Sequence, residues 1–234
     1  MDTLYVVMPA YNEAENIKKV IGDWYPVLEK AGEDSRLVVA DMGSSDDTHE
    51  ILAGMQQDFP KLMTLDTRYK EHGPKLLALY KYAIESGADY VFQTDSDGQT
   101  DPQEFYDFWD RRHEADAIIG NRTVRGDGHG RKVIEGVVVT LLRLYFHVRV
   151  PDANAPFRLM RSEMLKKYLE RMPEDYYLPN IMLTTYFAYY GERLLFKEIS
   201  FAPRLKGENS IDYVSITKIG MRALKEFHDF KKDL

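Results

Sequence analysis

The chain of 234 residues has no cysteine, which excludes disulfides, a thiolate nucleophile and cysteine-bound zinc. Positive charge is also in deficit: 31 lysines and arginines face 38 aspartates and glutamates, a net charge of −7. A general nucleic-acid binder works by neutralising phosphates, so this balance argues against one. Long hydrophobic runs are lacking. The greasiest stretch, 133–148, is interrupted by Glu135, Arg143 and His147 and falls short of the roughly 20 apolar residues a membrane span needs. The amino terminus has neither the basic flank nor the apolar length of a signal peptide. Internal repeats and low-complexity tracts are missing too. Together these absences lead to the expectation of a cytosolic chain whose membrane contact is at most peripheral, at the inner face.

What is present suffices for a core: 44% of the residues are apolar and 29% charged, which suits one large domain or one domain with a small extension. The charge is uneven. Between Arg111 and Arg149, eight basic residues stand against four acidic ones. Phosphate on a ligand, an anionic lipid surface and plain solvation are all uses open to that segment.

Strand-like and helix-like segments alternate through the first half. Leu4 to Met8 reads as a strand stopped by Pro9, and the following helix has an apolar stripe of Ile17, Val20, Ile21, Trp24, Val27 and Leu28. Arg36 to Ala40, Leu62 to Asp66, Tyr90 to Thr94 and Ala117 to Gly120 read as further strands. Helices are expected at 48–57, 74–86 and 102–111, the last with proline at an early position. A glycine-rich loop expected to move follows at 123–130, then an apolar helix at 133–148 and a turn at 151–157. Another element begins near Leu159, an aromatic-rich helix spans 178–190, and 194–200 is strand-like. A polar loop at 203–210 and a helix at 214–230 close the chain. Alternating units of this kind predict an α/β fold, a mostly parallel sheet with helices on both faces. Ligands of such sheets bind beyond the carboxyl ends of the strands. Polar clusters at Tyr11-Asn12-Glu13, 41–46 and 95–99 end three of the strands, so they point to one shared site.

Asp95 and Asp97 bring two carboxylates to the end of a buried strand, and Gln99 adds an amide oxygen. Hard divalent ions such as Mg²⁺ and Mn²⁺ take oxygen ligands of this kind, commonly one or two carboxylates plus substrate phosphates. Asp101 serves separately as the cap of the helix that starts at Pro102. Asp41 is placed to accept from a ribose hydroxyl or a base N–H, or else from its own turn, and Asp46 and Thr48 read as turn-stabilising. Neither a dinucleotide fingerprint nor a Walker sequence accompanies them.

With these residues in view, the chain resembles the inverting family 2 glycosyltransferases, whose fold is GT-A. The opening segment 7–17 is similar to their first motif, 41–48 to their Asp-Asp-Gly-Ser-x-Asp-x-Thr box, and 95–102 to the Asp-Ala-Asp-Gly-Gln-His-x-Pro form of their metal motif. Segments 152–158 and 204–210 resemble the Asp-x-x-x-Gly-Phe-Arg and Arg-x-x-Gly-x-Ser segments of the branch containing dolichyl-phosphate mannosyltransferases and undecaprenyl-phosphate sugar transferases. The resemblance implies a GT-A catalytic domain over 1–212 and an amphipathic helical extension over 213–234. It implies that Pro9, Tyr11, Glu13 and Asp41 line a nucleoside pocket, with Lys75 facing the donor. It implies further that Asp95, Asp97 and Gln99 hold Mg²⁺ or Mn²⁺ on a diphosphate, and that Arg158, Arg204 and Ser210 hold phosphate oxygens. Two departures stand out: Met42 replaces the second aspartate of the box, and Pro156 replaces a glycine and offers no backbone N–H.

The donor implied is a GDP- or UDP-linked sugar and the first acceptor a polyprenyl phosphate, whose oxygen is already anionic. The alternative acceptor is a hydroxyl of a growing glycan. That attack needs a base, for which Asp152 is the first candidate and the pair Glu174 and Asp175 the second. A nucleotidyltransferase is disfavoured because 9–16 is acidic and aromatic rather than glycine-rich and basic. A non-catalytic sugar-nucleotide-binding protein is the reading from another class, and the apolar helix leaves room for a homodimer.

Overall fold

The computed structural model describes residues 1–125, 129–204, 225–228 and 230–231, with side chains outside 124–134. Its strands are β1 (Leu4–Pro9), β2 (Arg36–Ala40), β3 (Leu62–Thr64), β4 (Tyr90–Thr94), β5 (Ala117–Arg125), β6 (Phe157–Arg161) and β7 (Leu194–Phe201). Its helices are α1 (Ile17–Trp24), α2 (Thr48–Met55), α3 (His72–Glu85), α4 (Pro102–Asp110), α5 (His129–Phe146), α6 (Ser162–Leu169) and α7 (Pro179–Tyr189). One sheet runs in the order β3-β2-β1-β4-β6-β5-β7. The pairs β1 with β2, β1 with β4, β2 with β3 and β5 with β7 are parallel. Only β6 runs against its neighbours β4 and β5. The expected α/β architecture is therefore observed, as a mixed and mostly parallel sheet.

β1 and β4 are buried along their whole length, which is why they read as continuous apolar runs rather than alternating ones. Their side chains feed two cores. Leu4, Val6, Met8 and Phe92 face α1, α2 and α4, where Trp24 packs on Phe92 and Phe157 at ring distances of 5.3 and 5.9 Å. Val7 and Val91 face α3, α5, α6 and α7 on the other side. The described part of the carboxyl-terminal segment is helical and belongs to that second core, with Phe227 and Phe230 against Phe146 and Tyr186.

The main differences from the sequence reading lie in two places. The loop expected at 123–130 is shorter, because β5 continues to Arg125 and α5 begins at His129. Phe157–Arg161 is a central strand rather than the end of a turn. It is buried on both faces, so it lacks the alternation that marks a strand, and Pro151 and Pro156 give its approach a turn-like composition. The boundary at 212/213 and Ser210 lie outside the described residues.

Because β6 is reversed, its amino end meets the carboxyl end of β4, with Thr94 paired to Phe157. The segment before β6 and the segment after β7 thus reach the same edge as the ends of β1, β2 and β4. That edge is where the polar clusters gather.

Candidate active site

The β1 and β2 ends are laced together by their own polar residues. The Asn12 N–H donates to Ser44 Oγ at 2.8 Å, and the Ser45 N–H donates to Asn12 Oδ1 at 2.7 Å. Asp46 accepts from the Ala14 and Thr48 N–H groups at 3.0 and 3.1 Å, and Thr48 Oγ1 accepts from the Glu13 N–H at 2.9 Å. Asp46 and Thr48 are turn-builders, as their sequence suggested. The turn itself needs Gly43, whose φ of +92° is a conformation that side chains rarely adopt. The Lys70 chain lies over Gly43, where a Cβ would meet it at 2.9 Å.

Asp41 sits inside this lattice. Ser44 Oγ donates to its Oδ1, while its buried Oδ2 has no hydrogen-bond partner among the described residues. Burial pushes its carboxyl above the usual range, against the pull of Ser44 and Lys75. An unsatisfied buried oxygen is costly unless a donor arrives, and a ribose hydroxyl or a base N–H is the kind of donor that fits. Tyr11, half exposed, stands beside it with Lys75 Nζ 5.8 Å from its ring. Lys75, expected on the donor side, is spent on the backbone of two strand ends. It is buried, and its Nζ donates to the Ala10 and Met42 carbonyls at 2.6 and 3.0 Å. Its ammonium therefore staples the two strand ends from beneath the pocket.

The β4 end carries the carboxylate pair. Ser96 Oγ donates to the Pro9 carbonyl at 2.9 Å, fastening the Asp95 to Asp97 turn to β1. Gly98, at φ +73°, completes the turn and lets the Gln99 N–H reach Asp97 Oδ1 at 3.1 Å. Burial first, and the charge of Asp95 second, push the Asp97 carboxyl up to about 7. Two carboxylates this close and this buried repel one another, and a cation between them would relieve both. Among the described residues no group of three His, Asp or Glu side chains could hold a metal by itself. The pair thus suits an ion that takes its remaining oxygens from a diphosphate and water, the habit of Mg²⁺ and related hard cations.

Gln99 is held by its amide nitrogen, so the amide oxygen expected at a metal is not spent on this contact. Its Nε2 donates to the Ala202 carbonyl at 2.7 Å, and the Ala202 N–H donates back to the Gln99 carbonyl at 2.9 Å. This clamp brings the end of β7 alongside the 95–97 turn and sets Arg204 against Glu13, which Asn16 Nδ2 also contacts at 2.8 Å. Glu13 is buried, and its carboxyl is raised by that burial even with the Arg204 guanidinium beside it. Glu13, Asp95, Asp97 and Arg204 form one charged cluster within electrostatic reach of one another. Pro9 contributes its carbonyl and its position at the end of β1.

Arg158 and Asp152 are corrections. Arg158 is fully buried, and its guanidinium donates to the carbonyls of Ala153, Ala155 and Asn180 and to Thr184 Oγ1 at 2.9 to 3.4 Å. It has no face left for a phosphate. Asp152 receives Arg122 Nε and Nη2 at 2.7 and 2.9 Å in a buried pair that Glu135 also joins. Burial works to raise its carboxyl, but hydrogen bonding to Glu135 and the Arg122 guanidinium prevail and hold it at about 2. Both of its oxygens are engaged, by Arg122 and by the Asn154 N–H, so the carboxylate is committed to the fold. Glu174 is held by Arg68, Lys81 and Tyr69 at the rim of a cavity of about 330 Å³ along the flank of α3, away from the carboxylate pair. Glu174, of the second base pair, is thereby engaged in ion pairs of its own.

Two residues the sequence reading missed touch Asp95 Oδ1: Gln93 Nε2 donates to it at 3.1 Å, and His72 Nε2 lies 3.5 Å away. A glutamine in the middle of a buried strand was the available signal for the first. A histidine at a helix start gives no such signal.

Comparison with known proteins fits this geometry. The undecaprenyl-phosphate mannosyltransferase of Micrococcus luteus is 25% identical over 231 residues, 93% of each chain. Among solved structures, glucosyl-3-phosphoglycerate synthase from Mycobacterium tuberculosis, in complex with Mn²⁺, UDP and glucosyl-3-phosphoglycerate, superposes with a TM-score of 0.70. It does so at 15% identity, over 97% of this chain and 80% of that one. The S. aureus TarS fragment 1–349 in complex with UDP-GlcNAc gives 0.60 at 20% identity, over 88% of this chain and 60% of that one. The model of the family described as glycosyl transferase family 2 matches residues 5–169, from β1 through α6 and across the ends of β1, β2 and β4. A chain with that match and that arrangement of strand-end carboxylates belongs to glycosyl transferase family 2.

Proposed function

We propose that the chain transfers a sugar, with inversion, from a nucleoside-diphosphate sugar held across the ends of β1, β2 and β4. The observation that carries this is the cluster of Glu13, Asp95, Asp97 and Arg204 at the same sheet edge as Asp41, whose buried Oδ2 is satisfied by none of the described residues. Asp41 and Tyr11 take the nucleoside, and Asp95 and Asp97 take Mg²⁺ or Mn²⁺. The ion, when bound, neutralises the negative charge that grows on the departing diphosphate. Arg204, kept in place by Glu13, presents a guanidinium to the same oxygens; its planar fork suits phosphate. Because these groups are fixed before the reaction, they stabilise charge without reorganising.

Two acceptor classes have separate support. A hydroxyl of a saccharide or small molecule is favoured by the sealed position of Arg158, which removes one cation assigned to a lipid phosphate. It is also favoured by the small phosphorylated product seen on this fold in the mycobacterial synthase. A polyprenyl phosphate is favoured by the mannosyltransferase that matches over 93% of both chains, and it needs no base. No helix among the described residues is long and apolar enough to cross a membrane. We place the working protein at the inner face of the membrane only for the second class.

Transfer measured in parallel to polyprenyl phosphate and to free saccharides separates the two. Product from saccharides alone supports the first class, and product from the lipid alone rejects it.

A further inference from the structure

Outside the charged cluster, three buried polar side chains form a line that ends on it. Tyr80 OH, from α3, donates to Asn180 Oδ1 at 2.8 Å. Asn180 Nδ2, from the first turn of α7, donates to Gln93 Oε1 at 3.0 Å. Gln93 Nε2, from β4, donates to Asp95 Oδ1 at 3.1 Å. Tyr80 and Gln93 have no exposed surface and Asn180 has 3%. An apolar core would not need such groups, because buried polar atoms are costly unless every one is paired.

The line has only one consistent polarity. Burial pushes the Tyr80 hydroxyl upward, so it stays protonated and donates. A donor there sets the Asn180 oxygen toward Tyr80 and its nitrogen toward Gln93, which turns the Gln93 nitrogen toward the carboxylate. Reversing any amide would face two oxygens against each other. The last link is fastened from behind, since the β4–β6 register sets Gln93 opposite Arg158. Arg158 Nη1 also donates to the Asn180 backbone carbonyl at 3.1 Å.

We propose that Tyr80, Asn180 and Gln93 are positioning residues of the transfer site, a relay that grips Asp95 Oδ1 from the core and presents Oδ2 to the divalent cation. The proposal rests on the reading of Asp95 as a cation ligand. It assigns the buried Arg158 a place in the same device, as the anchor of α7 rather than a phosphate binder. Outer groups of this kind orient ligands, and their loss typically lowers metal affinity or activity about 10- to 100-fold.

The test is Mn²⁺ titration followed by electron paramagnetic resonance, with and without UDP or GDP, on folded variants checked by circular dichroism. Gln93→Leu and Asn180→Leu are expected to weaken Mn²⁺ binding by about 10-fold or more, and Tyr80→Phe by less, since it removes only the far end. Thr185→Val is the control: Thr185 is equally buried on α7 but bonds only within its own helix, to the Ile181 carbonyl, and its affinity should equal that of the wild type. If Gln93→Leu does not fold, Asn180→Leu carries the test, because its backbone contact with Arg158 is kept. Unchanged affinity in the relay variants, with Asp95→Asn impaired, overturns the relay and spares the metal reading. Unchanged affinity in Asp95→Asn overturns the metal reading itself. An equal loss in Thr185→Val overturns the relay by showing a general loosening of α7.

Discussion

Arg158 shows how a single side chain resists assignment from its neighbours in sequence. Next to Phe157 in a recognisable segment, an arginine reads as a phosphate binder, and nothing in composition says which way it points. In the fold it is fully buried and bonded to three carbonyls and a threonine hydroxyl. Its removal should therefore appear as lost stability. Arg158→Met is expected to cost roughly 3 kcal/mol, by leaving several buried carbonyls without donors, measured by urea denaturation. A phosphate-binding arginine would instead raise the donor or acceptor KM at unchanged stability. Asp95, Asp97, Asp41 and Glu13 could be singled out because they fall in polar clusters at the carboxyl ends of strands, the edge where an α/β sheet binds its ligands. Gln93 and His72 were not, since their importance comes from contacts made across the sheet and between elements.

Among the elements, the strands and helices of the first half were readable from their periodicity, and β6 was not. A strand buried on both faces and approached through two prolines carries no alternation, and its place between β4 and β5 depends on contacts distant in sequence. The tie between β5, the segment before β6 and α5 is the Arg122, Asp152 and Glu135 group, buried at the sheet edge. Asp152 is depressed in the folded chain to about 2 from an ordinary 3.8. Its contribution is thus complete above about pH 4 and lost as pH falls through 2. Asp152→Asn should lower stability at pH 7 by roughly 2 kcal/mol and flatten the acid limb of a stability profile between pH 4 and 2. A second element-scale expectation concerns α3, whose Gly73 lies so close to the 176–177 backbone that a Cβ would come within 2.2 Å of the Tyr177 carbonyl oxygen. Gly73→Ala should destabilise by about 1 to 3 kcal/mol and, by shifting the start of α3, weaken donor binding in a thermal-shift titration.

At the scale of the whole molecule, one sheet edge collects the ends of four parallel strands and the start of a reversed one. The edge thereby brings together residues from 9 to 204. A merely binding protein of this fold would be stabilised by a sugar nucleotide and leave it intact, whereas the transferase reading predicts slow release of nucleoside diphosphate even without an acceptor. The measurement that bears most directly on that reading is Mn²⁺-dependent release of UDP and GDP from their sugar conjugates, for the wild type and for Asp97→Ala. The expected result is turnover that a chelator abolishes, Mn²⁺ restores, and Asp97→Ala reduces by about 100-fold or more. Full metal-dependent turnover in Asp97→Ala would contradict the account.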